Sequence, residues 1–186
     1  PGGSVKQDKI QIPFGLNANN DLVHISEAEK GGSYKCLSCS TVLTAIKGQK
    51  YAHHFRHYTI VNCNGESIIH KAAKKIILEK MQITSPNGEC IHFDSASEEA
   101  RLDEMKPDVL ALIGNSQLII EIYYTHKVDD DKKEKIKKAN ISAIEIDLSE
   151  LSLEDVKNRD SFWLYINDPN HIAWLHEATP PNKVTP

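Results

Sequence analysis

The spacing of apolar residues changes character twice along the chain. Over residues 5–60 the apolar runs are short and broken. Gln11-Ile12-Pro13-Phe14 and Asp21-Leu22-Val23-His24-Ile25 read as brief strands on either side of the turn-forming Asn17-Ala18-Asn19-Asn20. Gly31-Gly32 marks a second turn before Tyr34-Lys35-Cys36. Thr41–Ile46 is a further strand, and Lys47-Gly48-Gln49 a tight turn. From Glu66 to Gln82 the period becomes helical, because Ile69, Ala72, Ala73, Ile76, Ile77 and Met81 recur three and four apart.

Beyond the turn at Pro86-Asn87-Gly88, strand patterns return at Cys90–Phe93, Pro107–Ile113 and Gln117–Thr125, the last two joined by a hairpin at Gly114-Asn115-Ser116. Both hairpin strands are apolar on successive residues, as strands buried on two faces are. A charged helix at Asp130–Lys138 carries acids first and lysines last, as the helix dipole favours. A strand at 143–148, a helix over 150–160 and the aromatic-apolar runs 162–166 and 172–175 follow. The order after residue 65 predicts an α/β domain with a mixed central sheet, here residues 63–178. Residues 5–62 form a small β-rich module, and a disordered tail covers 179–186. Pro1-Gly2-Gly3-Ser4 reads as a cloning remnant.

No window approaches the roughly 18 apolar residues of a membrane span, and no secretory leader is visible, so a cytoplasmic setting is expected. The net charge of -4 is uneven. Residues 1–82 hold 11 Lys/Arg against 6 Asp/Glu (+5), and residues 83–186 hold 11 against 20 (-9). Five of the nine histidines also lie in the first part, so a phosphate-binding surface is expected there.

The β-rich module is too poor in apolar residues to hold itself together, and its chemistry suggests the remedy. Cys36 and Cys39 form a CxxC pair, and His54 and His57 follow in His53-His54-Phe55-Arg56-His57. Two thiolates and two imidazoles suit a closed, structural Zn²⁺ site. His53 is an alternative to His54, and Cys63 an alternative to either histidine.

A second constellation is acidic. Asp108 lies in an otherwise apolar strand, and Glu121 lies mid-strand among Leu118, Ile119, Ile120 and Ile122. A lone carboxylate is costly in such a place, and two on hairpin-linked strands suggest a shared hard cation, Mg²⁺ or Mn²⁺. The carbonyl of Ile122 is a further candidate ligand. Glu66 and His70 stand one helical turn apart and project together. Glu66 could bind the metal or position a water, and His70 could contact phosphate or move a proton. Lys71 and Lys74 lie nearby for backbone contact. Taken singly, each has an ordinary explanation: a helix-start charge, a boundary histidine or a strand-entry aspartate.

The helix, the Asp strand, the Glu strand, the second helix and the last strand follow the core order of the PD-(D/E)xK nuclease superfamily. Pro107-Asp108 and Glu121-Ile122-Tyr123 resemble its signature. The fuller likeness is to the competence protein CoiA-like family. It is carried by Cys36 to Cys39, by His54-Phe55-Arg56-His57, by Glu66-Ser67-Ile68-Ile69-His70-Lys71, by Ile12-Pro13-Phe14 and by the two acidic strands in order, over roughly residues 10 to 150. The resemblance implies a restriction-endonuclease-like core and a DNA-processing nuclease, with DNA uptake as its named context and mobile-element or defence biology as further settings. Many nucleases of this class act on duplex DNA as dimers, so a homodimer fits.

The chain departs from the signature at one point. Tyr123 occupies the position of the signature lysine, two residues after Glu121. In the CoiA-like family a Gln often stands there. Lys127 shares the strand face but is too far along it without a bend; Lys132 or Lys135 of the following helix is the other source of an ammonium. Tyr123 itself could donate a hydrogen bond to phosphate.

The expected activity is therefore a Mg²⁺- or Mn²⁺-dependent deoxyribonuclease using Asp108, Glu121 and Glu66 as metal ligands, with His70 and Tyr123 supporting the phosphate. DNA contacts are expected from Lys71, Lys74, Arg56 and Lys127, and from Lys35, Lys47 and Lys50 of the zinc module. Two alternatives are a catalytically inactive module of the same fold that binds nucleic acid, and a zinc-stabilised module that binds a partner protein through its acidic half and Trp163, Tyr165 and Trp174.

Overall fold

A computed structural model describes residues 11–59, 61–63, 66–152 and 155–179, with Glu66 described by its backbone alone. Of the expected tail 179–186, Thr179 is described, its N–H donating to Asn140 Oδ1 at 3.2 Å, and residues 180–186 lie outside the described residues. Twelve strands and three α-helices occur among them. The chain divides into two compact units, one built from residues up to 76 together with 150–164, the other from 77–149 and 165 onward. The division therefore differs from the expected boundary after residue 62. The first unit keeps the start of the long helix and recovers a segment from late in the sequence.

The first unit is a five-stranded antiparallel sheet. Its strands are β1 (Phe14–Leu16), β2 (Leu22–His24), β3 (Ser33–Lys35), β4 (Val42–Ile46) and β5 (His54–His57), in the order β2-β1-β3-β4-β5. Phe55 N–H donates to the carbonyl of Ile12 at 2.8 Å, so the chain entering β1 also meets β5 and the sheet curls on itself. Ile12, Leu43, Ala45 and Phe55 fill the curl, joined by Ile68 from α1 (Glu66–Lys80). Gly15 lines the same interior: a Cβ there would stand 3.2 Å from Tyr34 Cβ and 3.4 Å from the Phe55 ring. On the far side of β1 and β2, Phe14 packs on His24 and on Phe162 of α3 (Arg159–Ile166). His24 Nε2 donates to the Val156 carbonyl at 2.9 Å, with Nδ1 held by Ser26. These contacts explain why residues 155–164 belong here.

Part of the expected helix over 150–160 lies outside the described residues; among the described ones the α-helix runs from Arg159 and takes in the aromatic-apolar run 162–166. Phe162, Trp163 and Ile166 are its buried residues, at three- and four-residue spacing.

The second unit is a mixed sheet in the order β12-β11-β10-β9-β8, made of β8 (Ser95–Glu98), β9 (Val109–Ile113), β10 (Ser116–Tyr123), β11 (Ser142–Asp147) and β12 (Ile172–His176). β10 and β11 are parallel, linked through α2 (Asp130–Ala139), and every other neighbouring pair is antiparallel. The run at Cys90–Phe93, expected in this sheet, instead pairs as β7 (Cys90–His92) with β6 (Gln82–Thr84) in a separate hairpin. Its place is taken by β8, whose Ser-Ala-Ser-Glu sequence carries no apolar alternation because it is an exposed edge. α2 is capped by the Asp129 side chain, which accepts from Lys132 N–H at 2.8 Å, and ends on Asn140 in a left-handed conformation (φ 53). Its Ile136 packs on Leu110, Ile119 and Ala143, one residue from each of three adjacent strands.

Truncating Phe55 to Ala removes the largest side chain of the curl and its edge contact with Tyr34. The variant should lose about 3–5 kcal/mol of stability, read as a lowered midpoint in denaturant unfolding.

Candidate functional sites

Each unit carries one site. In the first, the turn between β3 and β4 is a tight loop in which Cys36 N–H donates to Thr41 O and Ser40 N–H to Cys36 O, both at 2.9 Å, with Ser40 at φ 64. It turns Cys36 and Cys39 toward His57 of β5 and Cys63, which precedes α1. Cys36 Sγ and Cys63 Sγ are 3.9 Å apart, and Cys39 Sγ and His57 Nε2 are 3.4 Å apart. All four ligand atoms lie within 4.8 Å of one another. Zinc–sulfur bonds of about 2.3 Å in a tetrahedron put sulfurs about 3.8 Å apart, so this Cys3His cluster could hold a metal such as zinc. Ser67 Oγ donates to Ser38 Oγ at 2.8 Å, tying the first turn of α1 to the CxxC loop.

His54 is not in the cluster, and Cys63 takes its place. An i, i+3 pair converges on a helix, but residues 54–57 form a strand, where odd and even side chains leave on opposite faces. His57 points with Phe55 into the curl. His54 points out with Arg56, its Nδ1 on the Ala52 carbonyl at 2.7 Å. His53, the other alternative, rests its Nε2 3.2 Å from Gly48 O.

Burial and the neighbouring Cys63 sulfur push the Cys36 thiol up to about 12. Burial acts the same way on Cys39. There hydrogen bonds with Thr41, and with Cys36 and His57, outweigh it and hold the thiol at about 6. Metal loading must therefore release a proton from Cys36.

In the second unit, antiparallel pairing of β9 with β10 aligns Val109 with Ile120, and one step further brings Asp108 opposite Glu121. Asp108 N–H donates to Glu121 Oε2 at 3.3 Å, and Ile122 N–H donates to Asp108 Oδ2 at 2.8 Å. Strand alternation puts Glu121 on the face of Ile119, and helix periodicity puts Lys132 on the face of Ile136. Ile119 and Ile136 pack together, so Lys132 arrives over Glu121 and forms an ion pair with its Oε1. The same ammonium donates to Lys106 O at 3.3 Å.

Glu121 is 2% exposed. Burial, then the charge of Asp108 and the hydrogen bond with it, raise its pKa to about 8; Lys132 opposes them without prevailing.

Lys135, the alternative ammonium, pairs with Asp131 at 3.1 Å and faces Glu104 at 4.0 Å. Lys127 lies over the Tyr123 ring, 5.7 Å from its centroid, not at the carboxylates. His70 is half-buried and lies in the first unit, as does the backbone of Glu66. Lys74 is 4% exposed, which removes it from a solvent-facing phosphate surface, whereas Lys71 is half-buried. Lys47 reaches into the backbone, donating to Ser26 O at 3.2 Å and Ala28 O at 2.7 Å. Trp163 is buried, so it offers little to a protein partner.

One residue went unremarked in the sequence. Glu145, buried and in register with Glu121 on β11, accepts from Val128 N–H at 3.0 Å and so pins the segment leading into α2. Its signal was present: Ile144-Glu145-Ile146 repeats the pattern of Ile120-Glu121-Ile122.

No protein-family model matches the chain, and neither does any curated protein or solved structure. Among the described residues no helix is long and apolar enough to cross a membrane.

Two measurements check these sites. Cys63→Ser should lower bound zinc well below one equivalent per chain, whereas His54→Ala should keep the full equivalent, both read by metal analysis after gel filtration. The second concerns Glu121, a carboxyl held above its unfolded value. The folded state then binds the extra proton, and stability declines as pH rises from about 4.5 toward 8. Glu121→Gln lacks that loss. Without added divalent cations, the variant should gain on the wild type by roughly 2–4 kcal/mol between pH 5 and pH 8, read from urea midpoints.

Proposed function

We propose that the chain is a Mg²⁺- or Mn²⁺-dependent nuclease that hydrolyses DNA phosphodiester bonds, of the PD-(D/E)xK type and similar to the CoiA-like family. The observation that carries this reading is the convergence of Asp108, Glu121 and Lys132 on one face of the mixed sheet. The strand order fits: an antiparallel β8-β9-β10 run, then a helical crossover to parallel β11, as the resemblance implies.

Asp108 and Glu121 would hold the cation. Two carboxylates facing each other in a buried place repel, which is part of why Glu121 resists ionisation, and a divalent charge between them relieves that repulsion. When bound, such an ion supplies charge neutralisation at phosphate and an acidified water. The chain's own residues supply the rest. Lys132 answers the departure at Tyr123: its ammonium stands at the Glu121 carboxylate, where it can hold a water or the growing charge on a phosphate oxygen. Tyr123, two residues along the same face, offers its hydroxyl to a phosphate oxygen, with Lys127 adding positive charge over its ring. Zinc on Cys36, Cys39, His57 and Cys63 would be structural, since four protein ligands leave no open position.

A second reading has its own observation. Lys132 already occupies the side of the Glu121 carboxyl, as it would in an inactive module that binds nucleic acid without cutting it. Calorimetric titration with Mn²⁺ separates the two, because an inactive site should take up none.

The decisive assay is cleavage of single-stranded, duplex and branched DNA with Mn²⁺. Asp108→Ala and Glu121→Ala should abolish cutting. Lys132→Ala should lower its rate by about 10²–10³-fold, and Lys135→Ala should leave it nearly unchanged. Zinc-loaded, folded wild type that cuts no substrate would transfer the reading to the inactive module.

A further inference from the structure

One face of the first unit, which carries Lys35 and Arg56, takes no part in either site above. The registers of β3, β4 and β5 assign its outward side chains. Lys35 pairs with Val42, and Tyr58 N–H donates to Val42 O at 2.9 Å, so Lys35, Val42 and Tyr58 form one cross-strand row. Ser33, Thr44 and Arg56 form the next. Two aromatic rings stand in solvent at opposite ends of β5: Tyr58, just after the strand, is 74% exposed, and Tyr51, in the bend leading into it, is 65% exposed with Lys50 Nζ 5.6 Å from its ring centroid. Val42 beside Tyr58 is 48% exposed. Arg56 is exposed between them, and Lys35 reaches only an exposed side-chain oxygen of Asn20, at 3.5 Å.

The charge is of one sign. Residues 30–65 contain Lys30, Lys35, Lys47, Lys50 and Arg56 and no Asp or Glu. A solvated rim usually mixes signs. Here exposed rings lie at the ends of a strand whose own stretch of sequence carries only basic charge.

We propose that this β3–β4–β5 face binds single-stranded DNA, with bases stacked on Tyr58 and Tyr51 and the phosphates tracked by Arg56, Lys35 and Lys50. Each part of the surface has a counterpart in such a strand. An unpaired base presents a flat apolar face that an exposed tyrosine covers, and stacking tolerates any sequence. The phosphates answer the acid-free charge. The rows repeat every two residues, about 6.8 Å along the strands, comparable to one step of an extended polynucleotide. A duplex keeps its bases stacked on each other and would leave both rings unused. The choice of DNA rests on the proposed nuclease activity; the stacking site itself does not involve the carboxylates.

The test uses the full zinc-loaded chain carrying Asp108→Ala and Glu121→Ala, with no Mg²⁺ or Mn²⁺, and follows a fluorescent oligothymidylate by anisotropy at low salt. Binding should be saturable and tighter than to the same-length duplex or oligouridylate. Tyr58→Ala and Tyr51→Ala should each weaken it by roughly tenfold, and Tyr58→Phe should preserve it. Arg56→Gln should flatten the slope of log affinity against log salt by about 0.7. Zinc content and circular dichroism identify any variant that has lost its fold.

Absence of binding by the folded chain, equal or tighter binding of duplex or oligouridylate, or indifference to Tyr58→Ala and Tyr51→Ala would each overturn the proposal. Cleavage by the wild type without this binding would remove the stacking site and leave the nuclease. Binding without cleavage would do the reverse.

Discussion

Neighbouring side chains leave an extended strand on opposite faces, and both sites of this molecule are consequences of that alternation. In β5 it turns Phe55 and His57 inward, one to fill the curl and one to complete a Cys3His cluster, and turns His54 and Arg56 outward. In β10 it puts Ile119, Glu121 and Tyr123 on the face that receives α2. A slip of one residue in either strand would place an imidazole in solvent or a carboxylate against an apolar layer. The apolar partners enforce the register: Phe55 has nowhere else to go, and Ile119 meets Ile136.

The two sites handle polar groups in a dry place differently. In the first unit, a small interior adjoins four candidate ligands drawn from a turn, a strand and a pre-helical segment, so a bound metal would add cross-links that the apolar residues do not supply. In the second, the polar group is itself the liability. Glu121 is placed where its charge is disfavoured, and Asp108 opposite makes it more so. The fold answers with backbone N–H donors and a lysine from the following helix, which meets the Glu121 carboxyl. Glu145 serves this arrangement at one remove. By holding Val128 it sets where α2 begins, and so where Lys132 ends up.

Much of this was legible in the chain. The helix from Glu66, the β9–β10 hairpin, α2 with its caps and β11 all announce themselves by period, turn residues or charge order, because each is stabilised largely by what is local to it. The acidic pair was legible too, since a carboxylate in an apolar strand conflicts with its surroundings. β8 was not, because an exposed edge strand needs backbone partners and no apolar alternation. Nor was the return of residues 155–164 to the first unit, which depends on Val156, Arg159 and Phe162 meeting residues more than 130 positions earlier.

By itself, then, the sequence determined the types of element, the chemistry of the candidate ligands and the charge asymmetry between the halves. Only the tertiary structure decided among equivalent donors. Cys63 displaces His54 because strand geometry, not spacing, sets which side chains converge. Lys132, rather than Lys127 or Lys135, meets Glu121 because the packing of Ile136 on Ile119 fixes the rotation of α2. Lys74 and Lys47 are withdrawn from the surface because burial and backbone carbonyls claim them. Such choices depend on distances between residues far apart in the chain, and no local pattern encodes them.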